Sequence, residues 1–377
     1  MAMRRPSPLS PVDTDTTTVT DAWSDDWHGQ LRRAIRTPAA LARVLSLTPE
    51  ERQGVELARQ AGMPLLIPPY YLSLCDPHDA SCPIRRQCVP NPAESVRVPG
   101  DLLDPLGEAS HEVAPRLIRR YPDRALLLVT STCAVHCRFC TRSRIVRAED
   151  GFVPSAELEP AFLWLSQHPD VREVLISGGD PLVASTGRLS ALLSRLRRIR
   201  SIEVIRIGTR VPVVLPMRVD DELVAMLREH QPIWMMTHFN HPKELTSLAT
   251  RAVERLVDAG LPVMNQTVLL RGVNDTEDVL ALLFRGLVRR RVRPYYLLHA
   301  DVMEGTGHLR TALSRSIEIF GRLQGRLSGL ALPKLIVDTP DGKGKVPVGP
   351  DTIVSMQNGR TVLRTYRGEE VTILDPQ

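Results

Sequence analysis

Short runs of apolar residues alternate with longer segments of helical periodicity through most of the chain. The runs predict six strands, at 125–130, 171–176, 202–207, 232–237, 262–270 and 293–298. Helical stretches lie between and after them, at 156–166, 189–199, 221–229, 243–259, 277–289 and 311–327. Strands and helices that alternate in this way indicate parallel βαβ units with right-handed crossovers. Six units are too few to close an eight-stranded barrel, so the pattern predicts an α/β fold built on a partial (β/α)6 barrel.

The pattern changes on both sides of this barrel. It predicts four segments, which are a disordered tail (1–22), an N-terminal helical and proline-rich segment (23–110), the barrel (111–330) and a C-terminal extension with short strands (331–377). Thr48 and Glu51 have the spacing of a capping box at a helix start. The prolines between 67 and 99 predict a chain that wraps extended over a surface instead of forming regular elements. Asn358-Gly359 predicts a tight turn between two of the C-terminal strands.

Composition and charge restrict the class of protein only broadly. The chain has 377 residues, 43% of them hydrophobic, which is enough for a barrel-sized core. Its formal charge of +5 comes from scattered arginines and suits anionic small ligands as well as nucleic acid. The start of the chain lacks the apolar stretch of a signal peptide, and no run approaches the roughly 18 apolar residues of a transmembrane helix. We therefore expect a cytoplasmic protein.

Three cysteines, Cys133, Cys137 and Cys140, directly follow the first predicted strand. Their C-x3-C-x2-C spacing indicates an iron–sulfur loop, because cubane clusters take thiolate ligands. Three thiolates leave one iron open for another molecule to bind. A structural zinc site is the alternative, but it normally needs a fourth ligand, and His136 is badly placed to close the same tetrahedron.

Three further cysteines lie in the proline-rich segment. Cys75, Cys82 and Cys88 have an irregular C-x6-C-x5-C spacing. Two interpretations of these cysteines stay open, namely free thiols and the ligands of a second metal site.

Polar side chains and glycines occupy the ends of other predicted strands, where (βα) barrels place their chemistry. Ser177-Gly178-Gly179 ends the second strand, and glycines there let a ligand approach the backbone, although an ordinary tight turn has the same composition. His238 ends the fourth strand and Gln266 lies in the fifth. These two side chains are ligand contacts or, alternatively, paired polar residues of the core.

Together these stretches resemble the radical S-adenosylmethionine (SAM) enzymes, and within them the lysine 2,3-aminomutase family. The resemblance covers about 23–347 and rests on the stretches 121–124, 133–142, 177–180, 206–210, 238–242, 265–266, 293–296 and 337–340. The cysteine loop alone would indicate only a radical SAM enzyme. The resemblance implies a radical SAM barrel and an isomerase that moves the 2-amino group of L-lysine to C3, giving β-lysine.

The resemblance also implies three cofactors, namely a 4Fe-4S cluster, SAM and pyridoxal 5′-phosphate (PLP). The cluster would be held by the three cysteines of the loop. By resemblance, the residues that contact SAM are Ser177, Gly178, Gly179, His238 and Gln266. A lysine on a glycine-rich loop can form a Schiff base with an aldehyde, and the PLP lysine of the family matches Lys345.

This chain departs from the family at the loop before Lys345. It carries Asp341 and Lys343 where the family has a run of four glycines, so either lysine could bond PLP. The position of Lys345 directly before Val346 favours it over Lys343. Guanidinium groups suit phosphate oxygens, although isolated arginines are commonly solvated surface charges. The candidates for the PLP phosphate are Arg120, Tyr121 and Arg124.

Two aspartates and an arginine carry the expectation about substrate. By resemblance, Asp301 and Asp338 hold the ε-ammonium of lysine and Arg142 holds its carboxylate. A relative that acts on glutamate would not keep two acids there. Arginine stays open as a substrate because its guanidinium could bridge two carboxylates. Either aspartate could instead cap a loop.

Partners and alternative functions complete the expectations. An electron donor such as flavodoxin or ferredoxin is implied, with no membrane and no nucleic acid. No cysteine follows Cys140, so the zinc link between subunits of some relatives is expected to be absent, while a homo-oligomer remains possible. A radical SAM enzyme that modifies RNA or protein, and a non-catalytic cluster-binding protein, stay open. Lys345 and its loop favour the aminomutase over both.

Overall fold

The computed structural model describes residues 26–148 and 151–376. The predicted disordered tail, 1–22, therefore lies outside the described residues. Within the described part of the chain, every helix is too short or too polar to cross a membrane. The four-segment division of the chain stays a prediction.

A ten-stranded sheet forms the centre of the fold, and its strands follow one another in chain order from edge to edge. They are β1 (Glu112–Ala114), β2 (Leu117–Tyr121), β3 (Arg124–Thr130), β4 (Glu173–Gly178), β5 (Val204–Gly208), β6 (Ile233–Thr237), β7 (Val263–Leu269), β8 (Arg293–His299), β9 (Lys334–Thr339) and β10 (Gly344–Pro347). Strands β3 to β9 pair in parallel, and the outer strands pair antiparallel. All six predicted strands are confirmed, as β3 to β8.

The sheet is an open barrel with one more parallel strand than predicted. β9 was missed because its buried residues, Leu335 and Ile336, make only a short apolar run. The end strands β1 and β10 do not pair with each other. The sheet nevertheless curls, as a contact between distant strands shows. Arg120 on β2 donates from Nη2 to Asp338 Oδ1 on β9 at 2.7 Å, although six strands lie between β2 and β9. This curl confirms the predicted partial barrel.

Helices cover the sheet after successive parallel strands. They include α6 (Ser143–Ala148), α7 (Ser155–Gln167), α8 (Thr186–Arg197), α9 (Val211–Val214), α10 (Asp221–Glu229), α11 (Ser247–Asp258), α12 (Glu277–Arg289) and α13 (Leu313–Leu323). Helix α12 shows why they pack there, since Leu280, Leu283 and Leu287 recur at helical spacing and are buried. Its first turn is capped by the side chain of Thr276. Most buried residues of the strands and helices form one core, and a second, smaller cluster includes Phe139, Val268 and Leu309.

The N-terminal segment is more helical than predicted. Its helices are α1 (Trp27–Arg32), α2 (Pro38–Ala42), α3 (Pro49–Gln60), α4 (Pro69–Ser73) and α5 (Arg85–Cys88). The Thr48–Glu51 capping box is confirmed, with Thr48 Oγ1 accepting from the Glu51 N–H at 3.2 Å. The expectation of an extended wrap over 67–99 is wrong at α4 and α5. Pro69 stands in the first turn of α4, where a missing N–H costs no helical hydrogen bond.

The C-terminal extension forms a separate antiparallel sheet. Its strands are β11 (Ile353–Gln357), β12 (Arg360–Arg364) and β13 (Glu370–Leu374). Asn358 and Gly359 join β11 to β12 with φ of 50° and 70°, the left-handed backbone that a two-residue hairpin turn requires. The short strands predicted for this region are confirmed.

Candidate active site

A cavity of about 490 Å³ opens at the carboxyl ends of the parallel strands. All of the site residues predicted from the sequence line it. Most of them lie at or near these strand ends, which meet at one rim of the barrel, whereas Arg120, Tyr121 and Arg124 reach the cavity from β2 and the start of β3. They are Arg120, Tyr121, Arg124, Cys133, Cys137, Cys140, Arg142, Ser177, Gly178, Gly179, His238, Gln266, Asp301, Asp338 and Lys345. The fold thus brings residues more than two hundred positions apart into one site.

The cysteine loop lies between β3 and α6 and is tied to the N-terminal segment. The His136 N–H donates to the Leu66 carbonyl at 3.0 Å, and the Arg138 N–H donates to the Gln87 carbonyl at 2.9 Å. Burial raises the pKa of the Cys140 thiol to about 11, and the nearby Cys137 adds to this rise. Burial also raises the pKa of Cys133 and of Cys137. Uncharged thiols are therefore favoured until a positively charged metal centre binds them.

The three thiols fit a cluster better than a single metal ion. Among the described residues, no three Cys, His, Asp or Glu side chains converge as a mononuclear site requires. In a cubane each thiolate binds a different iron, so the ligands surround a shared space instead of one point. Cys133, Cys137 and Cys140 all face the same cavity. The arrangement agrees with the cluster prediction and not with the zinc alternative.

The other three cysteines are buried free thiols. Cys75 and Cys88 approach each other with their Sγ atoms 3.9 Å apart, and the Asp76 N–H donates to Cys82 Sγ at 3.3 Å. These contacts favour the free-thiol interpretation over a second metal site.

Gly178 and Gly179 are required by the approach of the cysteine-loop backbone. A Cβ on Gly178 would lie 2.2 Å from the Thr130 carbonyl oxygen, and one on Gly179 would lie 2.2 Å from that of Thr132. The Gly179 N–H also donates to the Thr130 carbonyl at 2.6 Å. The sequence had suggested a ligand as the reason for glycine here, whereas packing of two chain segments already demands it. Ser177 Oγ accepts from Arg142 Nη1 at 3.3 Å.

His238 and Gln266 form a neutral polar pair on the cavity wall. Burial, with the charge of Arg210, lowers the pKa of His238 to about 4, and the hydrogen bond from His238 to Gln266 only partly opposes this. His238 is therefore uncharged at neutral pH. A neutral imidazole offers one donor and one acceptor to a ligand.

Lys345 reaches the cavity and Lys343 does not. Lys345 lies on β10 opposite Asp338 on β9, its Nζ forms an ion pair with that carboxylate, and its N–H donates to Tyr121 Oη at 3.0 Å. The side chain of Lys343 is 77% exposed, with Nζ 4.0 Å from the Asp341 carboxylate. Asp341 has a left-handed φ of 60°, which aspartate tolerates better than most residues. The substitutions within the glycine run therefore leave Lys345 facing the site.

The two aspartates are held in opposite electrostatic states. Burial raises the pKa of Asp301 to about 7, and the neighbouring charge of Asp338 adds to the rise. Burial acts in the same direction on Asp338, but the charges of Lys345 and Arg120 outweigh it and hold the pKa below its usual value. Asp338 is therefore ionised and paired at neutral pH, while Asp301 titrates near neutrality.

The two arginines that flank Tyr121 and Asp123, Arg120 on β2 and Arg124 at the start of β3, differ in their partners. Arg120 is mostly buried, and besides Asp338 it contacts the Gly342 carbonyl from Nε at 3.3 Å. Arg124 stacks over the Tyr121 ring, with 3.8 Å from its guanidinium carbon to the ring centroid, and is partly exposed. The alternative interpretation as a solvated surface charge therefore does not hold for Arg120.

Two residues of the site were given no role from the sequence, although Arg210 ends the stretch 206–210 on which the resemblance partly rests. Glu108 is buried and accepts from Arg142 Nε at 2.7 Å and from Arg144 Nη2 at 3.0 Å. No motif marks it, since it precedes β1 and is far in sequence from both arginines. Arg210 follows β5 and donates from Nη1 to Cys137 Sγ at 2.8 Å. Its position just after a predicted strand was the available signal.

Comparison with known proteins agrees with this geometry. Residues 127–284 match the family model of the Radical SAM superfamily, which defines the class of enzyme. Residues 320–377, which include Lys345 and Asp338, match the family model described as Lysine-2,3-aminomutase.

Full-length relatives extend the match to most of the chain. The L-lysine 2,3-aminomutase of Clostridium subterminale is 44% identical over 95% of this chain and 86% of its own length. That of Bacillus subtilis is 42% identical over 95% of this chain and 75% of its own length. The glutamate 2,3-aminomutase of Clostridioides difficile is 36% identical over 93% of this chain and 83% of its own length. The chain belongs to the lysine 2,3-aminomutase family, which confirms the resemblance stated from its motifs.

Membership in this family implies a 4Fe-4S cluster, SAM and PLP as cofactors. Among solved structures, SuiB of Streptococcus suis bound to precursor peptide SuiA aligns with a TM-score of 0.44 at 13% identity, over 58% of this chain and 49% of that chain. That similarity is too low to add to the argument.

Proposed function

We propose that the chain is an isomerase that moves the 2-amino group of L-lysine to C3 and releases β-lysine. The observation that carries the proposal is the shared cavity, which is lined by two aspartates and Lys345 as well as by the three thiols. A lysine in this cavity favours a PLP enzyme over a radical SAM enzyme without PLP. The aspartate pair favours an enzyme with a cationic substrate over a protein that only binds a cluster.

The residues divide the cavity into three subsites, which are those for the cluster, for SAM, and for PLP with the substrate. Cys133, Cys137 and Cys140 would hold the cluster, and the residues proposed for SAM are Ser177, Gly178, Gly179, His238 and Gln266. When bound, the cluster and SAM supply a hydrogen-abstracting radical, and PLP supplies an aldehyde and an electron-accepting ring. The barrel orients the reactants and keeps water away from them.

Asp338 would serve both the cofactor lysine and the substrate. Lys345 must lose a proton from Nζ before it can bond an aldehyde. Its side chain is 32% exposed, so this proton can leave to water, while Asp338, whose pKa lies below the usual value, stays ionised. Once Lys345 has lost its charge, Asp338 keeps Arg120 as a partner and has an oxygen available for another cation. The distal ammonium of lysine fits that vacancy.

Asp301 and Arg142 would bind the two charged ends of the substrate. Asp301 lies close enough to Asp338 for each charge to act on the other, so two carboxylates can meet one ammonium ion. Arg142 would take the α-carboxylate, with its guanidinium oriented by Glu108. Arg120 is engaged with Asp338, so Arg124 and Tyr121 are the more available partners for the PLP phosphate.

Charge selects lysine over most other amino acids. Leaving a buried charge without its partner costs about 2 to 5 kcal/mol, so a neutral or acidic side chain should react at least about thirtyfold more slowly. Arginine is the second candidate, because two neighbouring carboxylates also suit a bidentate guanidinium.

The test is conversion by the reconstituted enzyme. Anaerobic protein loaded with iron, sulfide and PLP is incubated with SAM, a strong reductant and, separately, lysine, arginine or glutamate, and the β-amino acids are separated by chromatography. We expect β-lysine as the main product. Conversion of arginine alone would move the assignment to the second candidate, and SAM cleavage without any β-amino acid would point to RNA or protein as the substrate.

We further propose the setting in which the enzyme works. Its buried free thiols suit a reducing, cytoplasmic compartment. An electron donor such as flavodoxin or ferredoxin would reduce the cluster.

A further inference from the structure

We infer that Arg210 positions the cluster ligand Cys137 and makes the cluster easier to reduce, with buried Glu244 limiting that effect. The inference rests on the proposed role of Cys137 as a cluster ligand. It assigns a task to a buried charged pair that substrate binding does not use.

Arg210 places a charged donor directly on the thiol. Its Nη1 donates to Cys137 Sγ at 2.8 Å, and its Nε donates to the His238 carbonyl at 3.3 Å. Its Nη2 meets Tyr71 Oη at 2.9 Å, Gln87 Oε1 at 2.6 Å and Glu244 Oε1 at 2.8 Å. Cys140 receives a different donor, the backbone N–H of Arg142. The cysteine ligands therefore differ in their hydrogen bonding.

The guanidinium also contacts two aromatic rings. The rings of Tyr71 and Phe139 lie 5.2 Å and 5.1 Å from its central carbon. Glu244 is fully buried, and its Oε2 accepts from the backbone N–H of Asn240 at 2.5 Å. Such a network fixes the direction of the N–H that meets the sulfur.

The network also joins separate parts of the chain. Tyr71 and Gln87 belong to the N-terminal segment, and Glu244 to the loop after β6. The Gln87 carbonyl accepts from Arg138, next to Cys137. The cysteine loop is therefore held on the same side by the backbone of Gln87 and by the side chain of Arg210.

The electrostatic consequence has a definite sign. Reduction adds negative charge to a cluster, and hydrogen bonds to its sulfurs and nearby net charge set its potential. A positive guanidinium on Cys137 stabilises the reduced state, and burial strengthens the interaction. The carboxylate of Glu244 acts against it. Removing the charge of Arg210 should therefore hinder reduction, and removing that of Glu244 should favour it.

The test uses Arg210→Met and Glu244→Gln, with Arg218→Met as matched control. Arg218 is also a fully buried arginine, but it donates to the Leu182 carbonyl at 3.0 Å and lies under Trp27. The reduced fraction of the reconstituted, SAM-free cluster is measured by electron paramagnetic resonance at fixed potentials. We expect the reduced-to-oxidised ratio to fall about tenfold in Arg210→Met, which is about 59 mV for one electron. It should rise in Glu244→Gln and stay unchanged in the control.

Opposite shifts separate an electrostatic role from a structural one, since loosened packing would not reverse sign between the two variants. An Arg210→Met cluster that is complete and reduces like that of the wild type overturns the inference and leaves the proposed function intact. A wild-type protein that holds no cluster overturns the proposed function itself. If Arg210→Met loads no cluster while the control does, Glu244→Gln decides, because an unchanged or lower ratio contradicts the inference and a higher one supports it.

Discussion

The cysteine end and the lysine end of the cavity are held in place by different kinds of contact. Cys137 and its loop are enclosed by the N-terminal segment, with backbone bonds to Leu66 and Gln87 and a side-chain bond from Arg210. Lys345 lies on the edge strand β10, its side chain is 32% exposed, and it is fixed mainly by Asp338.

This difference teaches which functions can be separated. The cysteine end depends on packing from several segments, whereas the lysine end depends on a few charges across the opening of the barrel. Changes at the lysine end should therefore leave the cluster intact. Changes at the cysteine end should abolish the radical chemistry altogether, because every later step requires it.

The largest effect is expected from the cluster cysteines. Replacing Cys133, Cys137 or Cys140 with Ala should abolish SAM cleavage, because each thiolate binds its own iron. Iron content and 5′-deoxyadenosine formation are the measurements, with Cys75→Ala, which removes a buried free thiol that does not line the cavity, as the control. Full SAM cleavage by the protein with all three cysteines replaced, or zinc without iron in anaerobically purified protein, would contradict the cluster assignment.

The second effect is loss of the cofactor bond at the other end. Lys345→Ala should lose covalently held PLP and all β-lysine formation, while Lys343→Ala keeps both, because only Lys345 faces the cavity. Borohydride reduction followed by peptide mapping identifies the modified lysine. A pyridoxyl group on Lys343 would reverse the assignment without touching the radical SAM class.

The sequence predicts these two ends unequally, for a physical reason. The bounds predicted for α10 and α12 are those observed, because periodic apolar residues and capping side chains are local signals. The cysteine loop is equally local. At the lysine end, Arg120 and Asp338 are 218 positions apart, and no local pattern announces that they form an ion pair.

The same reason explains the residues that were missed. Glu108 and Arg210 act only through partners that the fold brings to them from distant segments. The glycines at the end of β4 were found, but the cause assigned to them was incomplete, since the clash of a Cβ on Gly178 with Thr130 depends on how closely the ends of β3 and β4 pack. The sequence showed which residues could bind cofactors and substrate, but it did not show the distant side chains that orient them.

A third, intermediate effect concerns recognition of the substrate. Asp301→Asn or Asp338→Asn should lower kcat/KM for lysine about thirtyfold or more, since a buried ammonium loses a charged partner worth about 2 kcal/mol or more. Cluster content should not change, because neither aspartate contacts the cysteine loop. Asp258→Asn is the control, since that aspartate pairs with Arg291 and neither residue lines the cavity. Unaltered rates in both site variants would remove the basis for naming lysine.

The smallest effect is a dependence on pH at the lysine end. The pKa of Asp301 is raised to about 7 by burial and by Asp338, against the opposing charges of Lys345, Arg120 and Arg142. Below that pH Asp301 is protonated and cannot pair with an ammonium ion, so kcat/KM for lysine should rise with pH and level off above about 7.

The two kinetic constants sharpen this prediction. The profile of kcat/KM reports the free enzyme, whereas that of kcat reports the enzyme–substrate complex. Bound ammonium favours the ionised form of Asp301, so the rise in kcat should occur at lower pH than the rise in kcat/KM. Asp338 cannot produce either rise near neutrality, because its pKa lies below the usual value. The rise should therefore vanish in Asp301→Asn, and its persistence there would assign the titration to another group.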